Sequence, residues 1–320
     1  MLTTPQNLAA VFTSFDAIFQ DAFIAAKVEV PPFIYDVDST TAAMSHNFLG
    51  SAPRMREFIG QRQAVGATSN NFIIRNRKWE ASFEVEQETF EDDQLGLIKP
   101  LIQGLAYEAQ RHPVELAIQL LPAGFTTKAW DGVNFFGDHT KVVPGQANKA
   151  WINNNLGALS LGSTQYGQAR AALRLANDDR GRPLNFDLSG NNTYLFHGPN
   201  MEEVVTQLLN SDFTIGPMPA KGGGGAGTMA SNVWKGTATP YTTAYITDWS
   251  WGLVYTGRPG SKPLLRQWRI KPALVQKTNP ETSEKVYQED KYEYGIRGRY
   301  AVGYAFFAAA IASTGNANNA

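Results

Sequence analysis

Trp79-Glu80-Ala81-Ser82-Phe83-Glu84-Val85-Glu86 is the stretch on which the reading of this chain turns. Apolar Trp79, Ala81, Phe83 and Val85 alternate with Glu80, Ser82, Glu84 and Glu86, the period of two of a strand with one apolar and one acidic face. Upstream, Phe58 to Ala64 runs to a small polar tip, Val65-Gly66-Ala67-Thr68-Ser69-Asn70-Asn71, and Phe72 to Glu88 returns. Residues 51–88 therefore read as one long hairpin. Charge is segregated along it: Arg54, Arg56, Arg62, Arg75, Arg77 and Lys78 precede Glu80, Glu84, Glu86 and Glu88. An isolated two-stranded ribbon is marginal in water. A long one must lie on something, its own domain or another surface.

On the N-terminal side, Thr4-Pro5 suits a helix start. Leu8, Val11, Phe12, Phe15, Ile18, Phe19, Ala22 and Phe23 then recur at helical spacing as one apolar stripe. The stripe either packs on its own domain or, being terminal and followed by Val30-Pro31-Pro32, belongs to an arm that reaches a neighbouring subunit. On the C-terminal side, Thr89-Phe90-Glu91-Asp92 fits a capping box. Leu97, Leu101 and Leu105, with Ile98 and Ile102, are expected to carry the core face of the helix it opens. Pro100 is expected to kink or delay this helix, and His112-Pro113 to break it before a second piece, Val114 to Leu121. Gln165–Asn177 and Met201–Asn210 read as helices; Thr193–Phe196, Tyr241–Tyr255, Leu264–Val275 and Tyr292–Ile311 read as strands. The class is α+β.

The 320 residues suggest about two domains. Apolar residues, at 43%, supply a core, while charged residues at 18% leave little ionic surface to keep copies apart, which favours an assembly. A net charge of −1 offers no polybasic field for nucleic acid or an acidic membrane. The absence of cysteine excludes disulfides, thiolate metal sites and cysteine nucleophiles. No basic residue precedes Lys27, so no signal peptide is read at the start, and a soluble protein made in a cytoplasm is expected. The longest apolar run, Ala301 to Ala312, is shorter than the about 20 residues a bilayer needs and reads as a buried core segment.

Catalytic patterns fail one by one. Gly222, Gly224 and Gly227 satisfy G-x-G-x-x-G, but Pro217 and Pro219 precede them and no helix follows, so a surface loop is expected. His46, His112, His139 and His197 lie far apart, and only His139 adjoins a carboxylate, Asp138; a satisfied turn histidine is the expectation there. Ser160 lacks the elbow pattern of a hydrolase nucleophile. Glu202-Glu203 and Asp178-Asp179 read as helix-start and turn acids rather than a glycosidase pair. No catalytic, metal or cofactor residue is assigned, and no enzyme is expected.

Several blocks, in order, resemble the Mu-like phage major head subunit (gpT) family. They are Asp38-Ser39-Thr40-Thr41; Phe48 to Arg62 (FLGSAPRMREFIGQR); Phe90 to Gly96; His112 to Leu116; Asp131 to His139; and Tyr294 to Tyr304. The resemblance implies the tailed-phage major capsid fold. Its parts would be an N-terminal arm (1–47), an E-loop hairpin (48–88), a peripheral domain with a spine helix (89–182 and 259–314), an axial domain (183–258) and a short tail (315–320). It implies pentamers and hexamers of an icosahedral shell around motor-packaged double-stranded DNA. Partners would be copies of itself, a separate scaffold or protease, a portal and decoration proteins, with non-specific DNA contact, no membrane and no cofactor. The place would be the virion, assembled in the host cytoplasm. On this reading Phe12, Phe15, Phe19, Arg54, Arg56, Arg62, Arg75, Arg77, Lys78, Glu84 and Glu86 meet neighbouring subunits. Gly66, Ala67, Thr68, Ser69 and Asn70 form the E-loop tip. Pro31, Pro32, Gly50, Gly60, Gly222 and Gly225 act as flexible joints. An encapsulin-like compartment of the same fold, and a soluble α+β enzyme with a convergent site, are the alternatives.

Overall fold

The computed structural model describes residues 5–26, 28–48, 70–88, 95–140, 151–215, 229–258, 260–277 and 284–316. The expected α+β class holds. Two strands of fourteen residues, β10 (Leu264–Lys277) and β11 (Lys291–Tyr304), run antiparallel and organise the first sheet. Its order is β1-β10-β11-β4, with β1 (Ile34–Asp38) parallel to the start of β10 and β4 (Arg77–Glu86) antiparallel to β11. The register of β10 on β11 slips between Trp268 and Ala273, around Pro272. A proline there is tolerated because β1 covers β10 only as far as Trp268, so among the described residues no strand on that side needs the missing N–H.

The period-two reading of β4 and β11 is what the sheet uses. Tyr292, Tyr294 and Ile296 on β11 and Val85 on β4 are buried under two helices, α1 (Pro5–Ala25) and α2 (Leu95–Ile118). From α1 come Phe15 and Phe19; from α2 come Ile98, Ile102, Ala106 and Ala109. Phe15 meets the Tyr294 ring edge-on at 5.7 Å, and Phe83 stacks on Tyr294 at 5.5 Å. Phe15 and Phe19 were expected to seek a neighbouring subunit. They are instead buried within the chain, because the apolar face of β4 and β11 lies next to them. The side chain of Phe12 lies outside the described residues, as does the expected capping box at 89–92.

Helix α2 corrects two further expectations. Leu101 is 51% exposed, and the inward stripe is Ile98, Ile102, Ala106 and Ala109. The helix also runs unbroken through Pro113 to Ile118. An interior proline costs about 3 kcal/mol. Beyond it, Val114, Ala117 and Ile118 leave the first core and enter a second, larger one, and each large apolar side chain buried there contributes about 1.5–3 kcal/mol. Tertiary burial therefore outweighs the local break. A short helix, α3 (Leu120–Ala123), follows.

The second core lies on the sheet β12-β9-β5-β8: β5 (Thr193–His197), β8 (Thr239–Thr242), β9 (Trp251–Tyr255) and β12 (Ala310–Ser313). Helices α4 (Ser163–Arg174) and α5 (Glu202–Asn210) contribute Tyr166, Leu173, Val205 and Leu209 to it. Between α5 and β8, the pair β6 (Phe213–Ile215) and β7 (Met229–Ser231) forms a small two-stranded sheet. A Cβ at Gly252 of β9 would sit 2.4 Å from the Phe196 ring and 2.5 Å from the Ile311 carbonyl oxygen, so only glycine fits there. The apolar run 301–312 is buried, as expected, but it is not one strand. After Tyr304 it passes through a 3-10 turn (Phe307–Ala309), and β12 pairs with β9. Residues 310–313 thus join the sheet of residues 193–255 rather than that of 264–304. The expected strand 241–255 likewise divides into the end of β8 and β9.

Two polar groups hold these layers together. Arg266, 6% exposed, gives Asp36 a bidentate bond (Nε–Oδ1 2.6 Å, Nη2–Oδ2 2.9 Å) and lies 4.9 Å from the Trp268 ring. Partial burial pushes the Asp36 carboxyl up, but the bonds from Arg266 and Trp268 together hold it below its usual range. Arg170, also buried, donates to the Leu188 and Thr237 carbonyls at 2.6 and 2.9 Å and so pins α4 to two loops. Since Arg266 is the buried member of its pair and Asp36 is half exposed, Asp36→Ala is expected to destabilise more than Arg266→Met. Arg266→Met should lower the unfolding free energy by about 1–3 kcal/mol in a urea titration.

His197 (buried within β5) and His112 (half-buried on α2) add a pH dependence. Burial lowers the pKa of each below the ordinary 6.5. As pH falls through about 6.5 the unfolded chain takes up these protons first. Stability is therefore fully present above about pH 6.5 and is lost as pH falls toward the folded values. The urea midpoint is expected to drop between pH 7.5 and 5.5, and a His112→Gln/His197→Gln double variant should show a smaller drop over the same interval.

Candidate assembly surface

The expected long hairpin is built differently from its sequence reading. Its described part is a separate two-stranded ribbon, β2 (Ala43–Phe48) against β3 (Asn70–Arg75), in register from Ala43↔Arg75 to Phe48↔Asn70. The hairpin therefore begins at 43, inside the stretch assigned to the arm, rather than at 48. Asn70 lies in a paired strand rather than at the tip. Residues 58–64 and Gly66, Ala67, Thr68 and Ser69 fall outside the described residues, as do Gly50, Gly60, Gly222, Gly225, Arg54, Arg56 and Arg62.

The root of the ribbon is clamped by side-chain amides. Gln267 of β10 is fully buried. Its Nε2 donates to Asn76 Oδ1 at 2.8 Å and to the Ile74 carbonyl at 3.3 Å, and its Oε1 accepts from His46 Nε2 at 2.7 Å. Asn76 Nδ2 donates to Ser39 Oγ at 3.0 Å and to the Thr41 carbonyl at 2.9 Å. The His46 ring stacks on Phe72 at 5.1 Å. Close approach completes the seat: a Cβ at Gly303 would meet Ile74 Cδ1 at 2.5 Å. Sequence reading missed Gln267, Asn76 and His46 in this role. The three come together only through strand pairing across about 200 residues, and no local pattern marks them.

Strand β4, read as the return arm of the hairpin, stays in the body of the protein, paired with β11 over its whole length. Arg77 and Lys78 are exposed at its start, and Arg75 is exposed on β3. Glu80, Ser82, Glu84 and Glu86 lie exposed on the face away from the helices. Glu84 is paired inside the chain, with Lys285 of helix α6 (Glu284–Glu289), which also meets Glu293 at 2.7 Å. The two carboxylates raise the Lys285 pKa. Pro31, expected as a joint, is buried at the head of a turn in which the Ile34 N–H donates to its carbonyl at 3.0 Å, and Pro32 is exposed beside it.

The described histidines and acids singled out in the sequence are engaged in structural contacts. His139 is buried, with Nδ1 2.7 Å from Asp131 Oδ2 and Nε2 3.2 Å from the Phe135 carbonyl, and it stacks on Phe307 at 3.8 Å. Its carboxylate partner is Asp131, not the adjacent Asp138, which accepts from Thr140. His112 Nδ1 lies 2.7 Å from the Tyr300 hydroxyl, and His197 bonds the Gly198 carbonyl at 2.8 Å. Asp178 accepts the N–H groups of Arg180 and Arg182, a turn acid as read. Glu202 and Glu203 occupy the first turn of α5. Among the described residues no group of three metal-ligating side chains converges, and no helix is long and apolar enough to cross a membrane. A cavity of about 160 Å³ lined by Trp79, Ala109, His112, Pro272 and Tyr300 lies between α2 and the sheet. The described residues form a two-sheet body with an anchored ribbon.

Comparison with known proteins agrees with that geometry. Residues 8–160 and 216–320 match the family described as Mu-like prophage major head subunit gpT. The Mu-like prophage FluMu major head subunit of Haemophilus influenzae is 25% identical over 312 residues, 98% of this chain and 74% of that protein. The major capsid protein of Escherichia phage Mu is 31% identical over 144 residues, 45% of this chain and 47% of its own length. Among solved structures, a chain of the bacteriophage JBD30 procapsid has a TM-score of 0.57 at 27% identity, covering 99% of this chain and 77% of its own. A virus-like particle from Pyrococcus furiosus shares the fold at a TM-score of 0.51 and 8% identity, covering 94% of this chain and 98% of its own. The chain belongs to the Mu-like prophage major head subunit gpT family: it is a structural major capsid protein of a tailed phage or prophage, not an enzyme.

Proposed function

We propose that copies of this chain tile an icosahedral shell as pentamers and hexamers, enclosing double-stranded DNA driven in by a motor. The observation that carries the reading is the ribbon: β2 and β3 are rigidly seated at their root by Gln267, while their far end, at Phe48 and Asn70, continues into residues 49–69. A two-stranded ribbon of this kind is marginal alone. Copies of the chain provide the surface on which it lies, and many modest contacts add through closure of a lattice.

The sheet of β1, β10, β11 and β4 with α1 and α2 serves as the peripheral domain, α2 being the spine helix. The sheet of β12, β9, β5 and β8 serves as the axial domain, with the β6–β7 pair and its glycine-rich connection toward the ring centre. Gly50, Gly60, Gly222 and Gly225, named as joints, let one chain fit rings of two sizes. A net charge of −1 suits a wall along which DNA slides. A separate scaffold or protease, a portal and decoration proteins complete the virion, with assembly in the host cytoplasm.

Negative-stain imaging of the purified chain co-expressed with its scaffold is expected to show closed shells. Discrete monomers would overturn the reading, and shells that carry a protein cargo in place of DNA would favour a compartment of the same fold. Gln267→Leu removes the bonds to His46, Ile74 and Asn76 while keeping the volume. It is expected to speed amide exchange at residues 43–48 and 70–75 and to lower shell yield, with the near-ultraviolet signal of the second core unchanged.

A further inference from the structure

The first core is not filled throughout. Around Tyr294 it is closed by Phe15 and Phe83, but toward the Pro113 end of α2 a cavity of about 160 Å³ remains between the helix and the sheet. Small residues from three elements line it: Ala109 of α2, Ala81 of β4 and Gly298 of β11. A Cβ at Gly298 would meet the Tyr300 ring at 2.9 Å and Pro272 Cγ at 3.3 Å, so no side chain can grow there to close the space.

Three rings complete the wall, those of Trp79, His112 and Tyr300. Trp79 and His112 meet edge-on at 4.5 Å, and Trp79 stacks on Tyr300 at 5.9 Å. Most of their polar atoms are matched: Trp79 Nε1 donates to the Tyr300 carbonyl at 3.2 Å, and the Tyr300 hydroxyl lies 2.7 Å from His112 Nδ1. Among the described residues nothing bonds His112 Nε2, and burial, which lowers the His112 pKa, favours the neutral ring. No free charge is offered. By strand alternation Glu80 turns its carboxylate to the opposite face of the sheet, and Glu108 at the rim is engaged by Arg111 at 3.3 Å. The lining therefore selects a neutral molecule over an ion. An apolar cavity of about 150 Å³ takes up a benzene ring, and aromatic walls favour an aromatic guest.

We propose that this cavity is a binding site for a small neutral aromatic molecule of the phenol class, its ring held among Trp79, Tyr300 and the small residues and its hydroxyl paired with His112 Nε2. A ring bound there bridges α2 and the sheet beside the slip at Pro272.

The probe is 4-fluorophenol, titrated into the full chain and followed by fluorine NMR of the ligand. Saturable binding with a dissociation constant of about 1 mM is expected. Fluorobenzene, a ring without the hydroxyl, is expected to bind about tenfold more weakly. His112→Phe should abolish that difference. Ala109→Leu fills the cavity from the helix and Ala81→Ile fills it from the strand. Each is expected to abolish binding with the far-ultraviolet spectrum unchanged, and if one fails to fold the other decides. No saturable binding by the unaltered chain, or undiminished binding by a folded filled variant, overturns the site. Equal affinity for the two probes, or a difference that survives His112→Phe, overturns the pairing with His112. Binding is read on the subunit, so the result stands apart from the tiling reading.

Discussion

The antiparallel pairing of β10 with β11 is the constraint on which the rest of the molecule depends. Fourteen residues on each side make a rail to which every other part is attached. At the end near Leu264, β1 adds in parallel and is locked by the Asp36–Arg266 pair. At the end near Lys291, β4 adds on the other side. The slip around Pro272 separates these two halves. Helices α1 and α2 lie against the apolar face that alternation creates, and Gln267, near the Leu264 end of the rail, holds the ribbon. When β11 ends, the same chain crosses into the second sheet as β12, so the two cores are joined by backbone as well as by α2.

This construction explains how a structural capsid subunit has a function. Its buried polar side chains stiffen junctions: Arg170 between α4 and two loops, His139 between Asp131 and the turn at Phe135, Gln267 between rail and ribbon. Each junction orients a surface rather than a reaction. A shell subunit needs that property, since a small angular error at the root of a long ribbon becomes a large displacement at its end.

Much of this was legible in the residues. The alternation in Trp79–Glu86 and Tyr292–Ile296 identified both strands and their buried faces, because period two follows from backbone geometry alone. Helices at 165–177 and 201–210 were likewise visible from their spacing. The hairpin was misread because β4 and β3 are separated only by Asn76, and nothing local says that one stays on the sheet while the other leaves it. Helix α2 was broken at Pro113 on paper because the local cost was visible and the second core beyond it was not. Phe15 and Phe19 formed an unmistakable apolar stripe, but a stripe states that a surface must be covered, not by whom.

By itself the sequence determined the alternation of β4 and β11 with the faces they bury, the helices near 165–174 and 202–210 and, through ordered blocks of resemblance, the family. Those properties are local, or are carried by motifs at fixed spacing. Only the tertiary structure decided the partners: that β4 pairs with β11, that Gln267 reaches His46 and Asn76, that residues 310–313 change sheets, and that the arm helix lies on its own body. Partners are set by free energies summed over residues hundreds of positions apart, where packing and hydrogen-bond closure compete, and no window along the chain contains that sum.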